Sequence, residues 1–350
     1  MRTVFILIAV LLASCALSAQ EVRIGVLSLF HPHELTVQPA AGTAIVLHGD
    51  QHAITLESNS SIGQVDIRAA SSSVVVRLPG RSLRLPKVVF TSRKNESADF
   101  VLAIPGRISR HYHGKLELEV VSGLLVPIVT MDLETAVASV VAAEGLPGSP
   151  IEALKAQAVA ARSYFVTGRE RHKMFDFCDT THCQFLREPP AIGTAAFNAS
   201  AETRGLVIAY NAKTFAAMYT RSCGGHTRTP ADVGMASGEY PYYSVECKYC
   251  RDHPARWRSQ ITATDAVSLR SSNESARLAV DRRLGWGAVQ SDDFAMTRRG
   301  TQLVVEGVGQ GHGIGLCQAG AVGMANERFN FRQILAHYYP NTKIVSVNRR

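Results

Sequence analysis

Residues 149–164 have the sequence SPIEALKAQAVAARSY, which is rich in alanine and typical of an α-helix packed closely against its neighbours. Ser149, followed three residues later by Glu152, forms a capping-box pattern, and Pro150 occupies the position where a helix begins. The sequence therefore predicts a helix that starts at about residue 150 and continues through Tyr164.

A second helix is predicted just before this one. Apolar residues recur at helical spacing from Leu133 to Val141, and Glu144 falls on the same face. Asp132 is a suitable N-cap, and Gly145 is suitable for the C-terminal end.

The rest of the chain indicates an α+β protein. Residues 22–125 contain short β-branched runs separated by Gly, Asn, Ser and Pro, which is the pattern of β-strands. Strands and loops follow the two helices, with further short helices near residues 318–326 and 332–338. We expect a β-rich region over residues 20–104, followed by a mixed helical and strand core over residues 105–345.

The composition is that of a globular protein with a basic balance. The chain has 350 residues, of which 46% are hydrophobic and 19% are charged, and this argues against disorder. Lys and Arg number 37 against 29 Asp and Glu, which favours an anionic partner. No block of six or more basic residues occurs, so nucleic acid is not an expected partner.

The first 19 residues resemble an export signal. An apolar run through residue 12 follows Arg2 and is too short to cross a bilayer. Residues 12–15, LASC, resemble a lipobox that would place a lipid on Cys15, whereas residues 16–18 suit ordinary cleavage. We expect an exported protein of the periplasm or cell envelope, with no membrane contact other than a lipid on Cys15.

Glu144 is the first candidate for chemistry. It lies on the apolar face of its predicted helix, at the C-terminal end, where desolvation and the helix dipole both raise the pKa of a carboxyl group. A carboxyl group that is partly protonated near neutral pH can act as a general acid. The alternative is a structural glutamate that pairs with Arg162.

A glycine-rich loop, GVGQGHGIG at residues 307–315, is the second candidate. Glycines allow backbone N–H groups to approach a ligand closely. No Lys-Ser/Thr pair follows the loop and no βαβ unit surrounds it, which excludes phosphate-binding and dinucleotide-binding loops. The alternative is a tightly packed turn in which His312 is a satisfied core residue.

The cysteines leave metal ligation and disulfides open. Six cysteines remain besides Cys15, and an even number suits disulfides in an exported protein. Cys247 and Cys250 could supply two zinc ligands or one tight disulfide. A denser group of side chains has the donor types of a structural zinc site: His172, Cys178, His182 and Cys183.

Several blocks of the sequence together resemble the SpoIID/LytB family. The blocks are VAAE at residues 141–144 with EALKAQAVAAR at 152–162, FCDTTHCQ at 177–184, SCGG at 222–225, GQGHGIGLCQAGA at 309–321 and ILAHYYP at 334–340. They occur in the family's order and lie between about residues 110 and 340.

The resemblance implies an exported enzyme that acts on peptidoglycan glycan strands, with a deep substrate groove. Its activity would be that of a lytic transglycosylase, which cleaves between N-acetylmuramic acid and N-acetylglucosamine and leaves 1,6-anhydro ends. The family's catalytic glutamate maps onto Glu144, and no cofactor is required for catalysis, so any zinc would be structural. Further residues are expected to bind or orient the glycan: Gln157, Arg162, Tyr164, Ser222, His312 and Gln318.

Two other functions stay open. The main alternative is a non-catalytic wall-binding protein that recruits or stimulates a cell-wall amidase, because the resemblance includes modifiers of other autolysins. A zinc hydrolase built on the His172 cluster is less favoured, since four protein ligands leave no open position for water.

Overall fold

The structure is a computed structural model, and it describes residues 20–168, 171–234, 242–269, 274–285, 287–300 and 302–347. The predicted export signal, including Cys15, lies outside the described residues. Within the described part of the chain, no helix has both the length and the apolar character needed to cross a membrane.

The first part of the described chain consists of β-strands. In chain order they are β1 Glu21–Gly25, β2 Glu34–Pro39, β3 Ala44–Gly49, β4 His52–Glu57, β5 Val65–Ala70, β6 Ser73–Leu78, β7 Arg81–Leu85, β8 Lys87–Thr91, β9 Ala98–Ile104, β10 Ile108–Val121 and β11 Leu124–Asp132.

Helices and shorter strands make up the remainder. The helices are α1 Leu133–Glu144, α2 Ile151–Thr167, α3 Ala195–Glu202, α4 Lys248–Asp252, α5 Ala263–Leu269, α6 Glu274–Leu284, α7 Gln318–Asn326 and α8 Phe331–Tyr338, with a 3₁₀ turn at Pro230–Val233. The strands are β12 Phe177–Cys178, β13 Leu206–Tyr210, β14 Lys213–Thr214, β15 Tyr219–Thr220, β16 Arg256–Ile261, β17 Phe294–Arg299, β18 Gln302–Val308, β19 Leu316–Cys317 and β20 Lys343–Ser346. The predicted α+β class is confirmed.

Strand β10 joins the two parts of a large curled sheet. Its first half pairs with β9, and its second half pairs with β11 on one side and β8 on the other. Gly114 stands at the junction, where a Cβ atom would lie 2.5 Å from the carbonyl oxygen of Thr130. The absence of a side chain at this point lets β10 and β11 approach each other.

Strand β1 connects the start of the described chain to the helical part. It pairs antiparallel with β11, with Glu21 opposite Asp132, and parallel with β12. Buried residues of the sheet, such as Val22, share one apolar core with Val137 of α1 and Ala158 of α2. The predicted boundary at residues 104–105 falls in the turn between β9 and β10, and the division into two regions stays a prediction.

Helices α1 and α2 lie where the sequence predicts them. The Asp132 carboxylate caps α1 by accepting the backbone N–H groups of Glu134 and Thr135. The predicted capping box of α2 is wrong, because Ser149 donates its hydroxyl to the Leu146 carbonyl and makes no cap. The Glu152 carboxylate instead accepts the backbone N–H of Phe331 at 2.8 Å and thereby ties α2 to α8.

Arg162 of α2 is fully buried and fixes the helices to one another. Its guanidinium makes two hydrogen bonds to the Glu134 carboxylate of α1, at 2.9 and 2.6 Å. It also donates to the carbonyl oxygens of Ser200, at the end of α3, and Leu206, on β13. A buried charge needs such hydrogen-bond partners. Arg162 therefore holds α1, α2, α3 and β13 in fixed positions relative to one another.

Strands β16, β17 and β18 form a small antiparallel sheet, and α5 and α6 pack with it. This unit was not predicted from the sequence. This unit has its own apolar core, which includes Trp257, Leu269, Val280 and Val305. Its helices are short, and α6 is largely polar, so hydrophobic periodicity gives little signal there.

Removing the partner of Arg162 should destabilise the protein strongly. Glu134→Ala leaves a buried guanidinium without its carboxylate, and we expect the free energy of unfolding to fall by about 3–5 kcal/mol. Urea denaturation measures this change. The exposed Glu96→Ala is the matched control and should change stability by less than about 0.5 kcal/mol. A loss below about 1 kcal/mol for Glu134→Ala would contradict the structural role of the pair.

Candidate active site

Glu144 is the last residue of α1, and several segments converge on it. Its carboxylate accepts the backbone N–H of Phe185 at 2.5 Å. Its backbone carbonyl accepts the side-chain amide of Gln318, the first residue of α7, at 2.9 Å. The hydroxyl of Tyr219 on β15 interacts with the carboxyl group and also donates to Gln184 Oε1 at 3.0 Å.

The environment of Glu144 favours a protonated carboxyl group. Burial raises its pKa from 4.5 to about 7, although the nearby Tyr219 hydroxyl and the Phe185 amide lower it in part. The last turn of α1 contains no basic residue that would stabilise the carboxylate. The carboxyl group can therefore hold or release a proton near neutral pH.

A small depression lies next to this end of α1. Its cavity measures about 10 Å³, room for about one water molecule, and its lining includes Leu146, Gln157 and Gln318. Gln157 is only 3% exposed, and no described residue is a hydrogen-bond partner of its side-chain N–H₂ group. The deep groove expected for a glycan chain stays a prediction.

The glycine-rich loop is a tightly packed turn. Backbone N–H groups along it donate to acceptors within the protein, namely those of residues 309, 310, 311, 313, 314 and 316. Gly315 has a φ of +72°, and the nearest atom to a Cβ there would be the carbonyl oxygen of Met218. The glycines thus permit close contact with residues 218–222, and most backbone N–H groups of the loop are already hydrogen-bonded within the protein.

His312 belongs to this packed turn. Its Nδ1 atom accepts the backbone N–H of Ile314 at 3.0 Å. Burial and the nearby Arg277 together lower the pKa of His312 to about 4, so the ring is neutral at neutral pH. The backbone of Tyr219 hydrogen-bonds to His312, while its side chain reaches Glu144. Tyr219 therefore links the loop to the carboxyl group.

Three predicted glycan-binding residues lie inside the protein. Arg162 pairs with Glu134 and not with Glu144, and it has no exposed donor. Tyr164 is 5% exposed and packs its ring against Phe177. Ser222 is 7% exposed, and its Oγ lies 3.5 Å from Cys250 Sγ.

Three residues around the Glu144 carboxyl group were not predicted as site residues. Phe185 and Tyr219 interact with the carboxyl group, and Gln184 accepts the Tyr219 hydroxyl. Gln184 ends one of the family-like blocks, which was a usable signal. Tyr219 lies three residues before the SCGG block, and nothing in its local sequence distinguishes it.

The predicted histidine and cysteine cluster assembles in the loop around β12. Ligand atoms of His172, Cys178, His182 and Cys183 all lie within 4.8 Å of one another, and two nitrogen and two sulfur donors fit tetrahedral zinc. The nearby Cys183 thiol lowers the pKa of Cys178, which favours the thiolate needed for metal binding.

The loop that carries this cluster is anchored by Asp179. The Asp179 carboxylate accepts the backbone N–H groups of Leu27 and Ser28 and pairs with Arg110 at 3.2 Å. The chain continues from Cys183 directly to Gln184 and Phe185, which meet Tyr219 and Glu144.

The segment that carries these features matches a known family. A family model described as Stage II sporulation protein, SpoIID, matches residues 122–210, which include Glu144, Gln157 and the histidine and cysteine cluster. Over these residues the chain is similar to the SpoIID family. The resemblance predicted from the sequence blocks is confirmed.

Curated proteins that are similar to this chain agree with this match. An uncharacterised protein of Brachyspira hyodysenteriae is 29% identical over 68% of this chain and 73% of its own length. Stage II sporulation protein D of Bacillus subtilis is 27% identical over 62% of this chain and 75% of its own length. The amidase enhancer of Bacillus subtilis is 23% identical over 56% of this chain and 38% of its own length.

The raised pKa of Glu144 should appear as a pH-dependent stability. The folded protein holds this proton up to about pH 7, whereas the unfolded chain releases it near pH 4.5. The protonated group therefore stabilises the fold below pH 4.5, and that contribution, about 3 kcal/mol at most, is lost as the pH rises to 7. Urea denaturation of wild type and Glu144→Gln across this range should show the difference, because the variant lacks the titration.

The Tyr219 hydroxyl should oppose the effect of burial. Tyr219→Phe removes a hydroxyl group whose presence favours the carboxylate, so the pKa of Glu144 should rise above its wild-type value. Carbon-13 NMR titration of labelled glutamate side chains measures this pKa, with the signal assigned by its absence in Glu144→Gln. An unchanged or lower pKa in Tyr219→Phe would contradict the contact.

Proposed function

We propose that this protein acts on the bacterial cell wall and cleaves peptidoglycan glycan strands as a lytic transglycosylase. The observation that carries the proposal is the carboxyl group of Glu144. Burial raises its pKa to about 7, and it lies in the segment that matches the SpoIID family model. A general acid is most effective when its pKa lies near the working pH.

One carboxyl group is sufficient for this reaction. The protonated Glu144 would give its proton to the glycosidic oxygen between N-acetylmuramic acid and N-acetylglucosamine as that bond breaks. The resulting carboxylate would then take the proton of the sugar's own C6 hydroxyl, whose oxygen attacks C1 and closes the 1,6-anhydro ring. Because this nucleophile belongs to the substrate, it has a high effective concentration and needs no second carboxylate to activate water.

The contacts of Glu144 suit both stages of the proton transfer. Burial favours the neutral acid that begins the reaction. The Phe185 amide and the Tyr219 hydroxyl would stabilise the carboxylate that exists between the two transfers. The net charge of +8 also suits a glycan that carries lactyl carboxylates.

The cluster of His172, Cys178, His182 and Cys183 would hold a structural zinc ion in this proposal. Zinc bound there supplies a fixed tetrahedral cross-link. Its effect on the site would be to hold the segment that presents Gln184 and Phe185 to Tyr219 and Glu144. No step of the proposed reaction passes through the ion.

The amidase enhancer among the relatives favours a second candidate function. In this alternative the chain binds glycan strands, recruits or stimulates a cell-wall amidase, and uses Glu144 only as a hydrogen-bonding group. Either function requires export to the periplasm or envelope, as a soluble protein or through a lipid on Cys15, and this location is part of the proposal.

Replacing the acid separates the two functions. Glu144→Gln keeps the shape of the side chain but cannot deliver a proton, so turnover of naked glycan strands should fall by roughly 10²–10⁴-fold or more. Mass spectrometry of the digest measures the anhydro products, and thermal melting on the same preparation checks the fold. Binding to glycan strands should persist. The exposed Glu96→Gln is the matched control and should retain full activity.

Two results would reject the enzymatic proposal. One is formation of anhydro products by Glu144→Gln at close to the wild-type rate. The other is a wild-type protein that binds glycan strands and stimulates an amidase but releases no anhydro product itself, and this result would establish the alternative function.

A further inference from the structure

The fold brings together a second set of cysteines, outside the histidine and cysteine cluster. Its members come from the loop after β15, from α4 and the residue before it, and from the end of β19: Cys223, Cys247, Cys250 and Cys317. Their sulfur atoms all lie within 4.8 Å of one another, and each residue is at most 5% exposed. We call this set the four-cysteine cluster.

The spacing of the sulfur atoms suits one metal ion. All four thiols are free in the structure, and Sγ of Cys250 lies 3.4 Å from Sγ of Cys317. Four thiolates at about 2.3 Å from a tetrahedral zinc ion would have sulfur atoms about 3.8 Å apart. An iron–sulfur cluster would place several metal and sulfide atoms between the cysteines and would need wider separations than these.

Hydrogen-bond donors surround Cys317, the most deeply buried member. Its Sγ accepts the backbone N–H groups of Cys223 at 3.3 Å and of Gly320 at 3.4 Å. Cys317 is also the N-cap of α7, where the helix dipole is positive. Both features stabilise negative charge on this sulfur, as a metal thiolate requires.

Two hydroxyl groups serve other members of the cluster. The Tyr338 hydroxyl lies 3.2 Å from Sγ of Cys247, and the Ser222 hydroxyl lies 3.5 Å from Sγ of Cys250. Zinc with four thiolates carries a net charge of −2, so donors from several directions are needed in a buried site.

We propose that the four-cysteine cluster binds one zinc ion as a tetrathiolate, in a site separate from the histidine and cysteine cluster. The four thiols release their protons to solvent when the metal binds, and no oxidant or reductant takes part. Soft thiolate ligands in tetrahedral geometry favour zinc over magnesium or calcium.

The position of this site gives it a structural role beside Glu144. Cys317 directly precedes Gln318, whose amide holds the Glu144 carbonyl. Strand β19, which ends at Cys317, pairs with β15, which carries Tyr219. A bound ion would therefore fix the two strands that supply these contacts.

Metal content tests the proposal independently of any activity on glycan. The full chain is purified under reducing conditions without chelator, and zinc is measured by elemental analysis. Cys178→Ser/Cys183→Ser removes the two sulfur ligands of the histidine and cysteine cluster and leaves the four-cysteine cluster intact. This variant should therefore retain about one zinc ion per chain. Cys247→Ser/Cys250→Ser should lose one zinc ion per chain relative to wild type.

Cobalt substitution gives a second readout that does not depend on a folded double variant. Cobalt-loaded wild type should show tetrahedral visible bands and thiolate-to-cobalt charge-transfer absorption with the intensity of six thiolate ligands, four from this cluster and two from the histidine and cysteine cluster, whereas the latter cluster alone would give the intensity of two. The proposal is overturned if reduced Cys178→Ser/Cys183→Ser holds no metal and its four thiols are freely alkylated. It is also overturned if protein alkylated before reduction contains two disulfides among these four cysteines.

Discussion

The fold depends on the buried guanidinium of Arg162. A permanent charge without access to water requires acceptors on several sides, and the structure provides them on α1, α3 and β13. Glu134, its main partner, stands in the first turn of α1, while Glu144 stands at the other end of the same helix. By fixing α1 against α2, the ion pair also fixes the positions of Glu144 and Gln157 relative to each other.

On two sides of Glu144, a glutamine directly follows a cysteine that belongs to a cluster of metal-ligand side chains. Gln184 follows Cys183, a member of the histidine and cysteine cluster, and Gln318 follows Cys317, a member of the four-cysteine cluster. Gln318 holds the Glu144 carbonyl, and Gln184 holds the Tyr219 hydroxyl. The carboxyl group is thus positioned from two directions, each next to a cluster of metal-ligand side chains.

Local sequence patterns predicted a large part of the fold and the central acid. The stripe from Leu133 to Glu144 and the cap at Asp132 predicted α1 correctly, because helix periodicity and capping are local properties. Residues that depend on tertiary contacts could not be assigned in this way. Arg162 lies in a family-like block, yet only the fold shows that Glu134 takes up its charge. The four-cysteine cluster is another example, since Cys223 and Cys317 meet only through the pairing of β15 with β19.

The placement of β1 has a consequence for the order in which the chain can fold. Glu21 pairs with Asp132, and Ile24 pairs with Phe177, so the earliest described strand takes partners that are synthesised much later. Until those partners exist, β1 is an unpaired strand whose apolar side chains, Val22 and Ile24, are not yet covered, and contacts of such high sequence separation form slowly. A ribosome-bound chain that has not yet reached residue 132 therefore cannot complete this sheet. During that interval the nascent protein is open to chaperone binding and to aggregation through its free strand edge.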